Sequence, residues 1–437
     1  MGARTAVSVL CMVALFGAAA SSAAGTRRSR DARSRDRGTA GCSLSVAAGG
    51  DLQHALDRIS EHDEPATLCL GAGEFRLPGF LSIVRDGVHL RGEGHGTVLR
   101  LADGRQSPII VVGDYRDQIP ARAVSRVTIE RLRIIGGGGG GSEVQPDRPY
   151  LTNSAVVIRA GRDIDIRDLD VSACRSACIL SEHDSRDVVI ERTTISGSTW
   201  DGISLNRTSR ARLVDNTIRH NTAAGITTEH LEDSVIEGNT IEDNRSHGVY
   251  LADSYRNRFV RNRISGNTNA GMFLTCAVRA RDPDTVRCWD DSMSQANTFE
   301  SNLFGANRRG YIVAADAAAD CTKPGVVPNV SRGDRFLNNP SIEQPAAYGP
   351  CLERAGSGGG HRADGRSSSV ERRQSRFSPM WDRVAGSDRA MVVPTPAGRP
   401  PVAAGLRAPS LRPAARQPDD PLASNGVGAR SQAAPSD

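Results

Sequence analysis

Three side chains that can move or hold charge recur at nearly one spacing: His183, Arg207 and His230. Each stands at the same place in successive copies of a short repeat, and Asp253 takes that place in the next copy. The residue before it reads Glu182, Asn206, Glu229 and Ala252, and Asp184 follows His183. This set suits proton abstraction beside a carboxylate. A guanidinium quenches a carboxylate through two parallel hydrogen bonds. An imidazole supplies a base whose ordinary pKa lies close to working pH. In a uronic acid the proton at stake is the one on C5. Its return from the other face is epimerisation, and loss of the 4-O-linked sugar is chain cleavage. Three positions before Asp253, Tyr250 offers a ring for stacking on a sugar, as Trp200 does elsewhere in the repeat. Outward His, Arg, Glu and Asn on a repeating fold also make an ordinary solvated face.

The repeat is what must position these groups. Gly202, Gly225, Gly248 and Gly271 fall 23 residues apart, each followed by a short apolar segment. Asn216, Asn239 and Asn262 keep the same interval, as do Ile218, Ile241 and Ile264, and Asn221, Asn244 and Asn267. A degenerate copy carries Asn302, Phe304, Asn307 and Gly310. A fixed period with β-branched residues, Gly and Asn predicts a solenoid of short strands, a single-stranded parallel β-helix. Coils then stack at about 4.8 Å. The isoleucines form an internal column and the asparagines form ladders at bends. The period leaves the hand of the helix open. Residues 51–62 predict a helix capped by Asp51, with Leu52, Ala55, Leu56 and Ile59 on one face. It would lie over the open end of the coil stack, which otherwise exposes unpaired backbone.

Early coils are expected at 66–70, 75–77, 88–90 and 97–101, and a further strand at 127–135. The Gly-rich bend at 92–96 precedes a strand-like segment, not the helix that a phosphate loop requires. Three insertions interrupt the series, at 114–125, 136–153 and 275–296. The second opens on six consecutive glycines, and long loops of this kind on a solenoid wall a groove. His220 and His247 fall at bends and read as solvated, while His89 and His95 have no evident partner.

Residues 1–24 read as a secretory signal: Arg4, an apolar run over 6–20, then Ser22-Ala23-Ala24. No other stretch is long and apolar enough to span a bilayer. The mature chain is therefore expected to be secreted or periplasmic. Eight cysteines remain, an even number that suggests disulfides in an exported protein. The pairs adjacent in sequence are Cys42–Cys69, Cys174–Cys178, Cys276–Cys288 and Cys321–Cys351. Residues 25–41 form a charged linker, 42–351 the β-helix domain and 352–437 a disordered tail without periodicity. The ends carry +10 and 42–351 carry −5, which gives the net charge of +5. That sign argues against nucleic acid as the ligand, and a monomer is expected. No cofactor is required. The alternating Asp163, Asp165, Asp168 and Asp170 leave Ca²⁺ as an alternative, although Arg162 and Arg167 can pair with them.

The segment 178–191 followed by Gly202-Ile-Ser-Leu-Asn-Arg207 resembles the mannuronan C5-epimerases, right-handed parallel β-helices of the pectin lyase-like superfamily that act on alginate. Their signature is Asp-Pro-His-Asp on one coil and Arg on the next. Here the tetrad is Ser181-Glu182-His183-Asp184. The resemblance implies His183 as base, Asp184 as the last acid of the tetrad and Arg207 as the carboxylate-neutralising cation. Ser181 and Glu182 depart from the signature. It covers roughly residues 52–310 and implies a right-handed helix acting on an acidic polysaccharide, as epimerase or lyase. By position in the repeat, His230 joins the catalytic group, and Glu182, Asn206, Glu229, Tyr250 and Asp253 the substrate contacts. The alternative from another class is a non-catalytic extracellular or periplasmic β-helix that binds or assists.

Overall fold

The computed structural model describes residues 41–61, 64–139, 141–281, 286–313, 324–339 and 352–355. The expected signal peptide, nearly all of the linker and all of the tail beyond 355 fall outside these residues, as do Cys321 and Cys351.

The described strands form one sheet of 22 and one of 10. The coil-to-coil pairings are parallel, which makes the chain a parallel β-helix. The ten-stranded sheet supplies one strand per coil, from Gly73–Leu77 to Arg335–Leu337. The larger sheet runs over two faces and bends between them. In the central coils that bend falls inside Ile203–Ser209 and inside Ile226–Glu232. The series reaches Leu352–Ala355, which pairs with Asn329–Arg332 just past the boundary expected at 351.

Ile195, Ile218, Ile241, Ile264 and Phe304 stand in register through the ten-stranded sheet, and all are fully buried. Each such side chain contributes on the order of 2 kcal/mol by leaving water. Two asparagine ladders flank this column. In one, Asn216, Asn239, Asn262 and Asn302 each donate the amide Nδ2 to the carboxamide or carboxylate of the next coil, 2.9 Å away. Asp334 ends it, where an acceptor is needed and a donor is not. The second ladder runs Asn221, Asn244, Asn267, Asn307 and Asn339.

The repeating glycines are explained by space, not by backbone angle. A Cβ on Gly225 would meet Ile241 Cγ2 at 2.5 Å, the carbonyl oxygen of Gly248 at 2.8 Å and Asn244 Nδ2 at 2.9 Å. Gly202, Gly248 and Gly271 have the same three kinds of neighbour.

The end of the stack is covered by helix Leu52–Ile59. Asp51 caps it, accepting from the His54 amide at 3.0 Å, and Leu52, Ala55, Leu56 and Ile59 are buried. The strand expected over 127–135 is instead two, Val124–Glu130 and Arg133–Ile135, split by a bend at Arg131 with φ 56°. The insertion at 275–296 is an antiparallel pair, Ala270–Arg281 with Val286–Met293. Cys42–Cys69 and Cys174–Cys178 are disulfides. Cys276 is also disulfide-bonded. No helix among the described residues is long and apolar enough to cross a membrane.

Candidate functional site

The site lies at the bend of the larger sheet. The strand pairs Leu180↔Ser204, Ser204↔Thr227 and Thr227↔Tyr250 fix the coils, and Asn206↔Glu229 and Glu229↔Ala252 follow. His183, Arg207, His230 and Asp253 come next, with φ of 58°, 45°, 60° and 43°. Left-handed backbone is uncommon outside glycine. Here it recurs at coil bends along the helix, at Asp187, Arg210, Asp233 and Arg256 among others, so it belongs to the architecture. The coil of His183 holds one residue more at the bend, and Asp184 shares the left-handed turn at φ 58°.

Arg207 is held by that extra residue. Its Nε and Nη2 donate to the two carboxylate oxygens of Asp184 at 3.0 and 2.7 Å. Asp184 is exposed, and Arg207 is half-buried. His230 is flanked by carboxylates. Its Nδ1 lies 3.1 Å from Asp253 and its Nε2 3.0 Å from Glu232. The Asp253 hydrogen bond raises the His230 pKa, against the opposing effect of burial. The buried Asp253 also accepts from the Tyr255 hydroxyl, and the Tyr255 ring stands edge-on to His230.

His183 has the opposite surroundings. Burial first, then Arg159 and Arg207, push its pKa down to about 4, with Asp184 pulling weakly the other way. The imidazole is therefore neutral at neutral pH. Its Nε2 lies 3.1 Å from Arg159 Nη2. Arginine has only donors, so Nε2 accepts and the ring proton resides on Nδ1. Glu182 is raised to about 7 by burial, with Arg159 opposing.

Arg159 was absent from the sequence reading, and it is the hub of this end of the site. It ends strand Val156–Arg159, pairs in register with Glu182, and its side chain is fully buried. The signal was present: a charged residue in the same fourth position as Glu182, one coil earlier. The apolar run Val156-Val-Ile ahead of it reads as core and concealed it.

Asn206 and Glu229 are half-buried on the same face. Tyr250 is only 5% exposed, its ring packed on Phe273 at 5.3 Å and near His247 at 6.1 Å. It lines a small pocket with Trp200, Asp201 and Thr227. His247 is fully buried and stacked on Phe273, not solvated. His89 has a partner, Glu130, at 3.0 Å. His95 and His220 are exposed.

The wall touching the site is the first insertion, not the glycine run. Carbonyls of Asp114, Asp117 and Gln118 close over Arg159. The glycine-run loop braces that wall from behind: the Tyr150 hydroxyl donates to the Arg116 carbonyl at 2.6 Å. The loop is itself tied down by Arg175, whose Nη1 donates to Glu143 at 2.9 Å and whose Nε donates to the Gly141 carbonyl at 3.0 Å.

Among the described residues no three metal-capable side chains gather. Asp165, Asp168 and Asp170 instead face Arg167, Arg192 and Arg133 at 3.1, 2.8 and 3.4 Å.

No curated protein matches the chain. Among solved structures, the A-module of mannuronan C-5 epimerase AlgE4 from Azotobacter vinelandii is similar at 15% identity. The match covers 72% of this chain and 100% of that one, with a TM-score of 0.45. An alginate lyase from Paenibacillus aligns at 10% identity over 69% of this chain and 100% of its own, TM-score 0.43. PfbA, a surface adhesin of Streptococcus pneumoniae, aligns at 10% identity over 68% and 89%, TM-score 0.42. Residues 154–281, which hold every side chain of the candidate site, match the family model described as the right handed beta helix region, and with the parallel coils above this makes the fold a right-handed parallel β-helix.

Proposed function

We propose that the protein is an exported β-helix that binds an acidic, uronate-containing polysaccharide along the bend of its larger sheet and abstracts the C5 proton, as an epimerase or a lyase. One observation carries the reading. Two imidazoles with opposite surroundings flank a guanidinium on three successive coils. His183 is kept neutral by burial and by Arg159, whereas the Asp253 hydrogen bond raises the pKa of His230. Pairs of titratable groups driven apart in this way are the mark of a base and an acid sharing a substrate. Arg207 lies between them as the carboxylate partner.

In this reading a uronate carboxylate displaces Asp184 from Arg207, since both make the same two-pronged contact. The exchange leaves Arg207 paired with a carboxylate throughout, so its charge stays compensated while the substrate carboxylate is held beside His183. Proton transfer to Nε2 breaks its hydrogen bond from the buried Arg159 and leaves one guanidinium N–H without that acceptor, a cost of about 1–3 kcal/mol that the reaction has to meet. His230, on the coil beyond, supplies a proton. Glu229 and Asn206 offer polar contacts to sugar hydroxyls.

The closed Arg207–Asp184 pair favours one second reading, a surface that binds acidic glycans without altering them. The two separate in one assay. Alginate, pectate and glucuronan are incubated with the protein in D₂O. Deuterium at C5 by NMR, or unsaturated ends absorbing in the ultraviolet, supports the enzyme, and His183→Ala and Arg207→Ala should each abolish the signal. Binding without either signal supports the second reading. Activity surviving both substitutions would remove the bend as the catalytic site.

A further inference from the structure

The Arg159 guanidinium has five N–H donors and five acceptors. Nε donates to Glu182 Oε1 at 2.9 Å. Nη1 donates to the carbonyls of Asp114 and Asp117 at 2.9 and 3.1 Å. Nη2 donates to the Gln118 carbonyl at 2.6 Å and to His183 Nε2 at 3.1 Å. A planar fork with no remaining donor tolerates no rearrangement of one partner alone. The side chain is fully buried, so a lost acceptor is not replaced by bulk water. The Tyr150 ring, 5.2 Å from the guanidinium, closes the remaining side.

We propose that Arg159 is the positioning residue of this site: it fixes His183 in the Nδ1–H tautomer and fastens the wall at 114–118 to the same guanidinium, so that base and wall are held as one unit. The Nε2–H tautomer would set donor against donor at 3.1 Å. Protonating His183 would do the same and would orphan one buried N–H of Arg159. The charged groups facing the imidazole are Arg159, Arg207, Asp184 and Glu182. The proposal rests on the reading above only in calling His183 a base; tautomer and wall are independent of any substrate.

The test uses the full chain with ¹⁵N-labelled histidine. Long-range ¹H–¹⁵N spectra report which ring nitrogen carries the proton, and His183→Gln identifies the signal. Wild type should show Nδ1–H, and should stay neutral well below the ordinary imidazole value of ~6.5. Arg159→Lys keeps the charge but not the fork. It should release His183 to the Nε2–H tautomer and speed trypsin cleavage after Arg116 or Arg122 by about tenfold, one decade being ~1.4 kcal/mol of lost local stability. A purely structural or purely electrostatic Arg159 would leave the tautomer unchanged in that variant, which overturns the proposal. Should Arg159→Lys fail to fold, the wild-type spectrum decides: an Nε2–H ring overturns the assignment, and Nδ1–H supports it. Inactivity on every polyuronate would remove the proposed reaction and leave this result standing.

Discussion

Arg207 grips Asp184, which lies 23 residues earlier in sequence and one coil away in space, through two parallel hydrogen bonds of 3.0 and 2.7 Å. The pair exists because the coil of His183 carries one more residue at its bend than the coil of Arg207. That residue turns outward in left-handed backbone and meets the guanidinium. Asp184 thus takes up the fork of Arg207 that the proposed function assigns to a uronate carboxylate, and it is the exposed partner of the two.

Asp184→Asn should loosen this grip at little cost, because an exposed pair contributes at most about 1 kcal/mol. Affinity for short uronate oligomers should rise several-fold, measured by titration calorimetry at low salt. The same change removes the one nearby charge that raises His183, so the imidazole should titrate even lower than about 4. Weaker oligomer binding in Asp184→Asn would mean that the carboxylate orients Arg207 and does not compete with substrate.

The buried histidines give stability a definite slope with pH. His247 is lowered to about 3 by burial, from an ordinary value of 6.5. The unfolded chain takes up its proton first as pH falls, so the native state loses stability on going from 6.5 towards 3. Full expression of that shift amounts to roughly 5 kcal/mol. His183 acts in the same direction between 6.5 and about 4. Glu182 opposes them, since a carboxyl raised to about 7 favours the folded state at low pH. His247→Phe, which preserves the stack on Phe273, should flatten the dependence. Urea unfolding at about pH 7 and pH 5 gives the two slopes, and equal slopes in variant and wild type would contradict the assignment to His247.

The spacing of Gly225 gives a third expectation. A methyl group there meets backbone of the next coil and two side chains of its own at 2.5–2.9 Å. Overpacking of this severity costs about 1–3 kcal/mol or more. Gly225→Ala should lower the thermal midpoint by several degrees, while Gly79→Ala, with open space around its Cβ, should leave it unmoved. Equal effects would show that coils slide to accommodate the methyl.

The register was legible because three residue types repeat for one physical reason each. Gly leaves room for the next coil, Ile fills the interior, and Asn bridges bends. From that alone Asn206 and Glu229 fall on one ladder, and Arg207 falls beside His230. What failed to show was the part outside the repeat. Arg159 precedes the regular coils, and its partners at 114–118 come from an insertion whose folding over the site no spacing encodes. The burial of His247 was hidden because a bend residue can turn inward as readily as outward; the stack on Phe273 decides it. The split at Arg131 was invisible for a related reason, since left-handed turns here use Arg, Asp and His where Gly would have signalled a bend.

The asparagine ladder yields the sharpest contrast between buried and exposed contacts. Asn239 accepts from both the backbone amide and the side-chain amide of Asn216, at 3.0 and 2.9 Å. It donates to the Leu213 carbonyl and to Asn262, both at 2.9 Å. It is fully buried, so truncation strands partners on the coils to either side. Each stranded group costs about 1–3 kcal/mol, and Asn239→Ala should lose at least about 3 kcal/mol. Arg210 makes two hydrogen bonds to Asp187 across one coil interval on the surface. Its loss should leave stability nearly unchanged, because solvent replaces the contact. Chemical denaturation of the two variants measures the difference directly. If Arg210→Ala were the more damaging, the coils would be held by their outer ion pairs, and the buried amide column would be a consequence of stacking and not its cause.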